Sequence, residues 1–226
     1  MTSSYYEATG VLVLDQVTPV ITALFGGMKL DATYPGDGQA YIAFNYCETC
    51  TDWDTVCEEL AAVATSLGLP IANEQTLPTI EHVLEALSRH FGGDQDEALA
   101  KLIEHHSFDG FADFDALFLI ATRFDDGHGL KEIRMEGCWS NGKQRLFESG
   151  GDGYFLSREC KVSSDSSHAV YLGNNLRKAL LLNNVEAAAD VLAQEAQRLL
   201  AGVANKAQRR QLQQRLSERL RCLAAT

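Results

Sequence analysis

The spacing of apolar residues over the first 70 positions predicts a β-α-β-β-α unit. Residues 5–14 are rich in β-forming side chains and predict a strand, and residues 17–28 carry apolar side chains at helical spacing. The turn sequence Pro35-Gly36-Asp37-Gly38 separates two further strands and predicts a hairpin. Asp52 is a candidate N-cap for a second helix that ends at Gly68. This order is typical of half of a ferredoxin-like layer, in which helices cover one face of a small antiparallel sheet.

The middle of the chain is predicted to be helical. A linker over residues 70–78 precedes a helix that is capped by Thr79 and has an unbroken amphipathic stripe up to Phe91. A short helix is predicted across residues 94–106. Residues 111–124 continue the helical spacing, although their core sequence ALFLIA is also compatible with a buried strand. The length of the periodic stripe favours the helix.

A three-stranded antiparallel meander is predicted next. Residues 130–139 alternate between apolar and polar, as a half-buried strand does. The dipeptide Asn141-Gly142 is a strong hairpin signal, and residues 145–148 are predicted to return as the second strand. A further turn is predicted at Gly150-Gly151-Asp152-Gly153, followed by a third strand over residues 154–162.

Three helices are predicted at the C-terminus. A polar segment from Ser163 to His168 is rich in N-cap residues, and Asn183-Asn184 interrupts the helical pattern. The predicted inner faces are Val170, Gly173, Leu176, Ala179 and Leu180 in the first helix, Ala188, Val191, Leu192, Leu199, Leu200 and Val203 in the second, and Leu212, Leu216, Leu220 and Leu223 in the third. The fold class is therefore α+β. We expect an acidic unit over residues 1–70 and a second region over residues 71–226, or one continuous domain.

The net charge of −12 changes this picture because it is distributed unevenly over the 226 residues. Residues 1–113 contain 18 acidic and 3 basic side chains, whereas residues 114–226 contain 13 acidic and 16 basic ones. An acidic half repels nucleic acid and attracts basic protein surfaces, although acidic surfaces also serve solubility alone. The sequence has neither an 18-residue apolar run nor a secretory signal pattern. We expect a cytoplasmic protein without a membrane segment.

The cysteines raise the question of a metal site. Cys47 and Cys50 form a Cys-x2-Cys pair that Cys57 follows, which is part of the spacing of a zinc site. A structural zinc needs four ligands, and no second pair completes the set, although His105 and His106 are distant candidates. The favoured interpretation is that Cys57 is a small apolar residue and that no metal or cofactor is bound.

One cluster has residue types that could support catalysis. In Asp125-Asp126-Gly127-His128-Gly129 a histidine lies beside two carboxylates and could act as a base, with Cys138 as a nucleophile. The same sequence is typical of a tight turn, in which aspartates accept hydrogen bonds and glycines adopt positive φ. We favour the turn. The glycine-rich segment 150–153 lacks the pattern of a phosphate-binding loop.

The last helix is basic, and the chain from Arg198 onward contains seven basic residues and one acidic residue. Such a helix could contact nucleic acid, but it lacks interleaved aromatic residues and the chain as a whole is acidic. A solvated face, or a docking face for an acidic protein surface, is the favoured interpretation. We expect no affinity for free nucleic acid.

Two long segments resemble a family of accessory proteins carried on bacterial integrative and conjugative elements. They are FDDGHGLKEIRMEGCW with RLFESGGDGYFLSRE, and VLVLDQVTPVITALFGGMKLDATYPGDGQAYIA near the start. The resemblance transfers no catalytic or ligand residue. It implies a setting in which mobile DNA has to survive host defences, where accessory proteins often inhibit CRISPR or restriction systems.

The resulting hypothesis is a non-enzymatic anti-defence protein that binds another protein. The leading expectation is an anti-CRISPR that inhibits a type I effector complex by binding a basic, RNA-facing Cas surface. The alternatives are a structural or regulatory factor of the conjugative element and, third, an enzyme of unknown reaction. The expected partner-binding residues are the acidic ones beside the predicted helix stripes: Glu58, Glu59, Glu81, Glu85, Asp94, Asp96 and Glu97. The oligomeric state is left open.

Overall fold

A computed structural model describes residues 5–45, 51–71, 78–141 and 148–223. The strands are β1 (Tyr5–Val13), β2 (Asp31–Pro35), β3 (Gln39–Asn45), β4 (Glu132–Ser140), β5 (Ser149–Ser157) and β6 (Lys161–Asp165). The helices are α1 (Pro19–Phe25), α2 (Trp53–Ser66), α3 (Ile80–His90), α4 (Glu97–His105), α5 (Phe114–Arg123), α6 (Ser166–Leu181), α7 (Val185–Ala201) and α8 (Lys206–Leu223). The predicted α+β class is confirmed, with the strands hydrogen-bonded in the order β2-β3-β1-β4-β5-β6.

The chain divides into two compact units, and the boundary lies inside β4. The N-terminal unit is Tyr5–Met135 and the C-terminal unit begins at Glu136. The N-terminal unit therefore extends well past residue 70, because α3, α4 and α5 pack against one another and against α1 and α2. The charge is divided along the same line. Residues 5–135 contain 22 acidic and 6 basic side chains, and residues 136–226 contain 9 acidic and 13 basic ones.

The N-terminal unit contains a split β-α-β arrangement. β3 lies between β1 and β2 and pairs antiparallel with both, so β1, α1 and β2 form a β-α-β unit whose two strands are separated by a third. The half ferredoxin-like order predicted from the first 70 residues is present. β4 lies on the free side of β1, where the Lys131 amide donates to the Val13 carbonyl at 2.8 Å. β4 completes a β-α-β-β-α-β set, with α3 to α5 inserted before the last strand.

The predicted caps and turns of this unit are largely confirmed. The exception is Thr79, which lies at the N-cap position of α3 but makes no side-chain capping hydrogen bond. Asp52 accepts a hydrogen bond from the Thr55 amide at 2.7 Å, and Gly68 ends α2 at a φ of 69°. Gly36, Asp37 and Gly38 all adopt positive φ in the β2–β3 hairpin. The ambiguous run ALFLIA lies in α5, which confirms the helix. The core contains fully buried side chains from the sheet and from the helices, including Leu12, Ile42, Phe25, Trp53, Leu84 and Leu117.

The C-terminal unit contains the predicted meander, but one of its turns is elsewhere. The predicted turn at residues 150–153 is wrong, because these residues lie within β5. The predicted third strand over residues 154–162 is wrong as well, because this range covers the end of β5, the turn at residues 158–160 and the start of β6. The glycines serve close packing instead: a Cβ on Gly150 would lie 2.6 Å from the Trp139 ring and would also clash with Ser166. The predicted return strand over residues 145–148 lies almost wholly outside the described residues. The Asn141 amide donates to the Glu148 carbonyl at 2.9 Å across that gap.

The predicted inner faces of α6, α7 and α8 are largely wrong. Among the described residues of these helices, Ala179 and Ala188 are the buried ones. Side chains predicted to be internal, such as Leu192, Leu199 and Leu220, are exposed. The Asn183-Asn184 interruption is confirmed: Asn183 has a φ of 52°, and Asn184 caps α7. No helix in the described part of the chain is long and apolar enough to cross a membrane.

Candidate protein-binding groove

The N-terminal unit has a groove of about 350 Å³ between α3 and α4. Its walls carry the acidic residues Glu81, Glu85, Asp94 and Glu104 and the basic residue Arg89, and its floor includes the buried Leu99 and the half-buried Ile103. An apolar floor with acidic walls matches a segment that presents apolar side chains flanked by lysine or arginine.

Helical periodicity on α3 places one wall of the groove. Glu81, Glu85 and Arg89 recur every four residues and therefore share one face. The opposite face is buried and fixes the rotation of the helix through Val83, Leu84 and Leu87. Arg89 donates to Glu85 at 3.1 Å, so the two carboxylates on α3 are accompanied by one cation.

The start of α4 sets the other wall. Asp96 caps the helix by accepting hydrogen bonds from the amides of Ala98 and Leu99, both at 2.9 Å. Its carboxylate also forms an ion pair with Arg123 of α5 at 2.6 Å. Burial raises the pKa of Asp96, but the Leu99 amide and the Arg123 guanidinium outweigh burial and hold that pKa below its ordinary value.

The predicted acidic residues divide into three groups. Glu81, Glu85 and Asp94 line the groove. Glu58 and Glu59 are exposed on α2 and do not line it. Asp96 has the capping role described above, and its neighbour Glu97 is exposed and pairs with Lys101 at 3.6 Å.

The predicted binding residues leave out seven residues that line the groove: Ser88, Arg89, Gly93, Leu99, Ala100, Ile103 and Glu104. The four-residue spacing of Glu81, Glu85 and Arg89 is the signal that could have placed Arg89 beside the two glutamates.

The electrostatics of the groove favour ionised carboxylates. A hydrogen bond from the Thr79 hydroxyl is the main reason that the pKa of Glu81 lies below its ordinary value. The Asp94 carboxylate accepts from the Gln95 side-chain amide at 2.9 Å. The groove therefore presents net negative charge at neutral pH.

The Asp125–Gly129 segment forms a hydrogen-bonded turn in which the His128 side chain is buried. Gly127 and Gly129 have positive φ of 88° and 57°, as the turn interpretation requires. The His128 side chain is 2% exposed, and its Nδ1 lies in hydrogen-bond contact with the Asp126 carboxylate. An ionised carboxylate only accepts hydrogen bonds, so Nδ1 carries the proton. This geometry favours the turn over a solvent-accessible base.

The cysteines provide no cluster within the described residues. Cys47 and Cys50 lie outside them, and the described residues contain no group of three or more histidine, cysteine, aspartate or glutamate side chains placed to hold a metal ion. Cys57 is half-buried on α2, with its thiol 3.7 Å from the Pro78 carbonyl oxygen. Burial, followed by nearby Asp54 and Glu81, raises the pKa of this thiol above its ordinary value. Cys138 is exposed on β4.

Comparison with known proteins yields no relative from which a role could be transferred. The chain matches no protein-family model, no curated protein and no solved structure.

Proposed function

We propose that this protein acts by binding another protein through the groove between α3 and α4, and not by catalysing a reaction. The observation that carries the proposal is the combination of acidic walls and an apolar floor in one concave surface. Four carboxylates and one guanidinium line the groove. The partner surface that binds there most favourably therefore presents a lysine or arginine beside an apolar side chain.

The same charges disfavour nucleic acid as the direct ligand. A phosphate backbone carries dense negative charge, and the N-terminal unit contains 22 acidic and 6 basic residues. Proteins that grip nucleic acid, by contrast, expose basic grooves to do so. An acidic groove is complementary to those surfaces and would compete with the nucleic acid for them.

The specific target that we propose is a basic, RNA-facing subunit of a type I CRISPR effector complex. Charge complementarity supports the class of surface, and the resemblance to accessory proteins of integrative and conjugative elements supports the setting. Binding there would inhibit interference by occupying the site where the effector holds its nucleic acid.

The test measures association of the purified chain with a purified effector complex as a function of ionic strength. We expect rapid association at low salt that slows as salt increases, because charge steering is screened. The double variant Glu81→Lys/Glu85→Lys should associate at least about tenfold more slowly at low salt. The matched control Glu58→Lys/Glu59→Lys makes the same charge change on α2, outside the groove, and should have a much smaller effect.

Two outcomes would contradict the proposal in different ways. Equal slowing by both double variants would show that the overall acidic surface, and not the groove, drives encounter. No binding to any effector complex, together with groove-dependent capture of a conjugation protein, would favour the structural or regulatory alternative.

A further inference from the structure

The C-terminal unit displays two apolar stripes on neighbouring helices. Their fractional exposures are 76% for Val185, 55% for Leu192 and 47% for Leu199 on α7, and 48% for Leu212, 37% for Leu216 and 57% for Leu220 on α8. Single exposed aliphatic residues are common on protein surfaces, but aligned series of them mark interaction sites.

The spacing shows that each set forms a line. Val185, Leu192 and Leu199 recur every seven residues, so they drift by only about 20° per step and form one seam. The α8 leucines recur every four residues and fall within an arc of about 80°. The seams are about 21 Å and about 12 Å long at 1.5 Å per residue. Narrow seams of this kind are typical of helices that pair with another helix.

The helices that carry these seams have almost no core of their own. Ala179 and Ala188 are the buried residues among the described parts of α6, α7 and α8. Larger side chains such as Leu176, Val191 and Leu200 are half-buried. Together with two buried alanines they supply little of the apolar burial that offsets the conformational entropy of three ordered helices. Near its start α8 is held by a side-chain hydrogen bond, in which Arg209 Nε donates to the Val203 carbonyl at 3.0 Å. Covering the seams would supply the missing burial.

We propose that a second copy of this chain covers both seams, with α8 of each copy packed on α7 of the other. A two-fold axis would relate the two copies. The contact between α7 of one copy and α8 of the other would then occur twice, and the assembly closes at two chains. Because each chain carries both seams, two copies cover all four at once. A foreign partner that presents one helix would leave a seam exposed.

The distribution of charge favours contact between α7 of one copy and α8 of the other over contact between the two α8 helices. α7 contains three acidic residues and one basic residue, whereas α8 contains six basic residues and one acidic residue. Two α8 helices would bring like charges together, and α7 against α8 brings opposite charges together. The surface differs from the groove between α3 and α4, and the inference does not depend on the proposed function.

The test is the oligomeric state of the full-length chain. Sedimentation equilibrium should give a mass that approaches twice the 24.8 kDa of one chain as concentration rises. Leu192→Glu and Leu216→Glu should each weaken association by at least about tenfold, as expected for substitutions at the centre of a helix interface. The controls Gln194→Glu and Gln211→Glu introduce the same side chain at exposed positions outside the seams and should dimerise normally. Circular dichroism would establish that all four variants fold.

Salt dependence tests the pairing itself. Association through α7 and α8 should weaken as salt increases, because opposite charges are screened. Association that strengthens with salt would indicate like-charged α8 helices in contact and would overturn the proposed arrangement. A monomer at all concentrations, or a dimer that both seam variants leave intact, would overturn the proposal altogether.

Discussion

The Thr18 hydroxyl donates a hydrogen bond of 2.5 Å to the Asp126 carboxylate, across 108 residues of sequence. The same hydroxyl oxygen accepts from the Ile21 amide at 3.3 Å and thereby caps α1. Asp126 in turn contacts the buried His128 side chain. The carboxylate therefore connects the start of α1 to the turn that precedes β4.

Removing this carboxylate should destabilise the N-terminal unit. Asp126→Asn removes the negative charge that contacts the Thr18 hydroxyl and the His128 side chain. Thr18→Val removes the hydroxyl oxygen that accepts a hydrogen bond from the Ile21 amide. We expect each variant to lower the free energy of unfolding by about 1–3 kcal/mol. The exposed neighbour Asp125 provides the matched control, and Asp125→Asn should change it by less than about 0.5 kcal/mol. Equal effects from the two asparagine substitutions, measured by urea denaturation, would contradict the assigned role.

The same contact predicts a pH dependence. Burial raises the pKa of Asp126, but the hydrogen bonds from His128 and Thr18 outweigh burial and hold that pKa below its ordinary value. A carboxyl whose pKa is lower in the folded state binds its proton more readily in the unfolded state. Its contribution to the free energy of unfolding is therefore complete above the unfolded pKa of about 3.9 and is lost as the pH falls through the folded pKa. The wild type should therefore lose its advantage over Asp126→Asn as the pH falls below about 4. Urea midpoints of both proteins between about pH 2 and about pH 7, a range that includes the titration of ordinary carboxyls and of carboxyls with a lowered pKa, would measure this loss.

The turn illustrates what local sequence can and cannot predict. Two glycines and two aspartates within five residues predict a turn, because only local backbone geometry is involved. The contact with Thr18 depends on how the folded chain brings residue 18 to residue 126, and no local pattern encodes that distance. The β2–β3 hairpin and the Asp52 cap of α2 are predictable for the same reason.

Glycine can serve a turn or close packing, and sequence alone does not separate these uses. The sequence predicts a turn at Gly150, but this residue lies in β5, where the absence of a side chain leaves room for Trp139 and Ser166. We expect Gly150→Ala to destabilise the C-terminal unit by about 1–3 kcal/mol through overpacking. Gly153, three residues along the same strand, has no neighbour within 4 Å of an added Cβ, so Gly153→Ala should be neutral or slightly stabilising. Thermal unfolding of the two variants would distinguish these roles.

The predicted inner faces of α6, α7 and α8 are largely wrong for a different physical reason. Periodicity identifies which face of a helix is apolar, but it does not say whether the chain itself covers that face. Leu192 and Leu216 follow the pattern of core residues and are nevertheless 55% and 37% exposed. The apolar pattern along each helix is correct, but the inference that these apolar side chains are buried is wrong.

Charge counts likewise predicted an acidic surface without showing which carboxylates hold the fold together. The charge pattern places Asp96 with Glu97 among the partner-binding residues, yet Asp96 caps α4 and pairs with Arg123. Asp96→Ala should lower the free energy of unfolding by about 1–2 kcal/mol through loss of the cap. Glu97→Ala, which removes an exposed charge 3.6 Å from Lys101, should change it by less than about 0.5 kcal/mol. Chemical denaturation that ranks the two equally would show that the cap contributes nothing.

The floor of the groove should control how long a partner stays bound, whereas its acidic walls control how fast the partner arrives. Long-range charge acts on encounter, but apolar contacts form only after docking and are lost on dissociation. Ile103 is half-buried in the floor, and Ile103→Ala would remove part of the apolar area available to a partner. We expect dissociation from the effector complex to accelerate by about tenfold, with an association rate within about twofold of the wild type. Leu67→Ala truncates an aliphatic side chain that is 40% exposed and lies outside the groove, so it should leave both rates unchanged. Surface plasmon resonance would measure both rates. An unchanged dissociation rate for Ile103→Ala would mean that the partner contacts only the charged rim and that no protein segment occupies the groove.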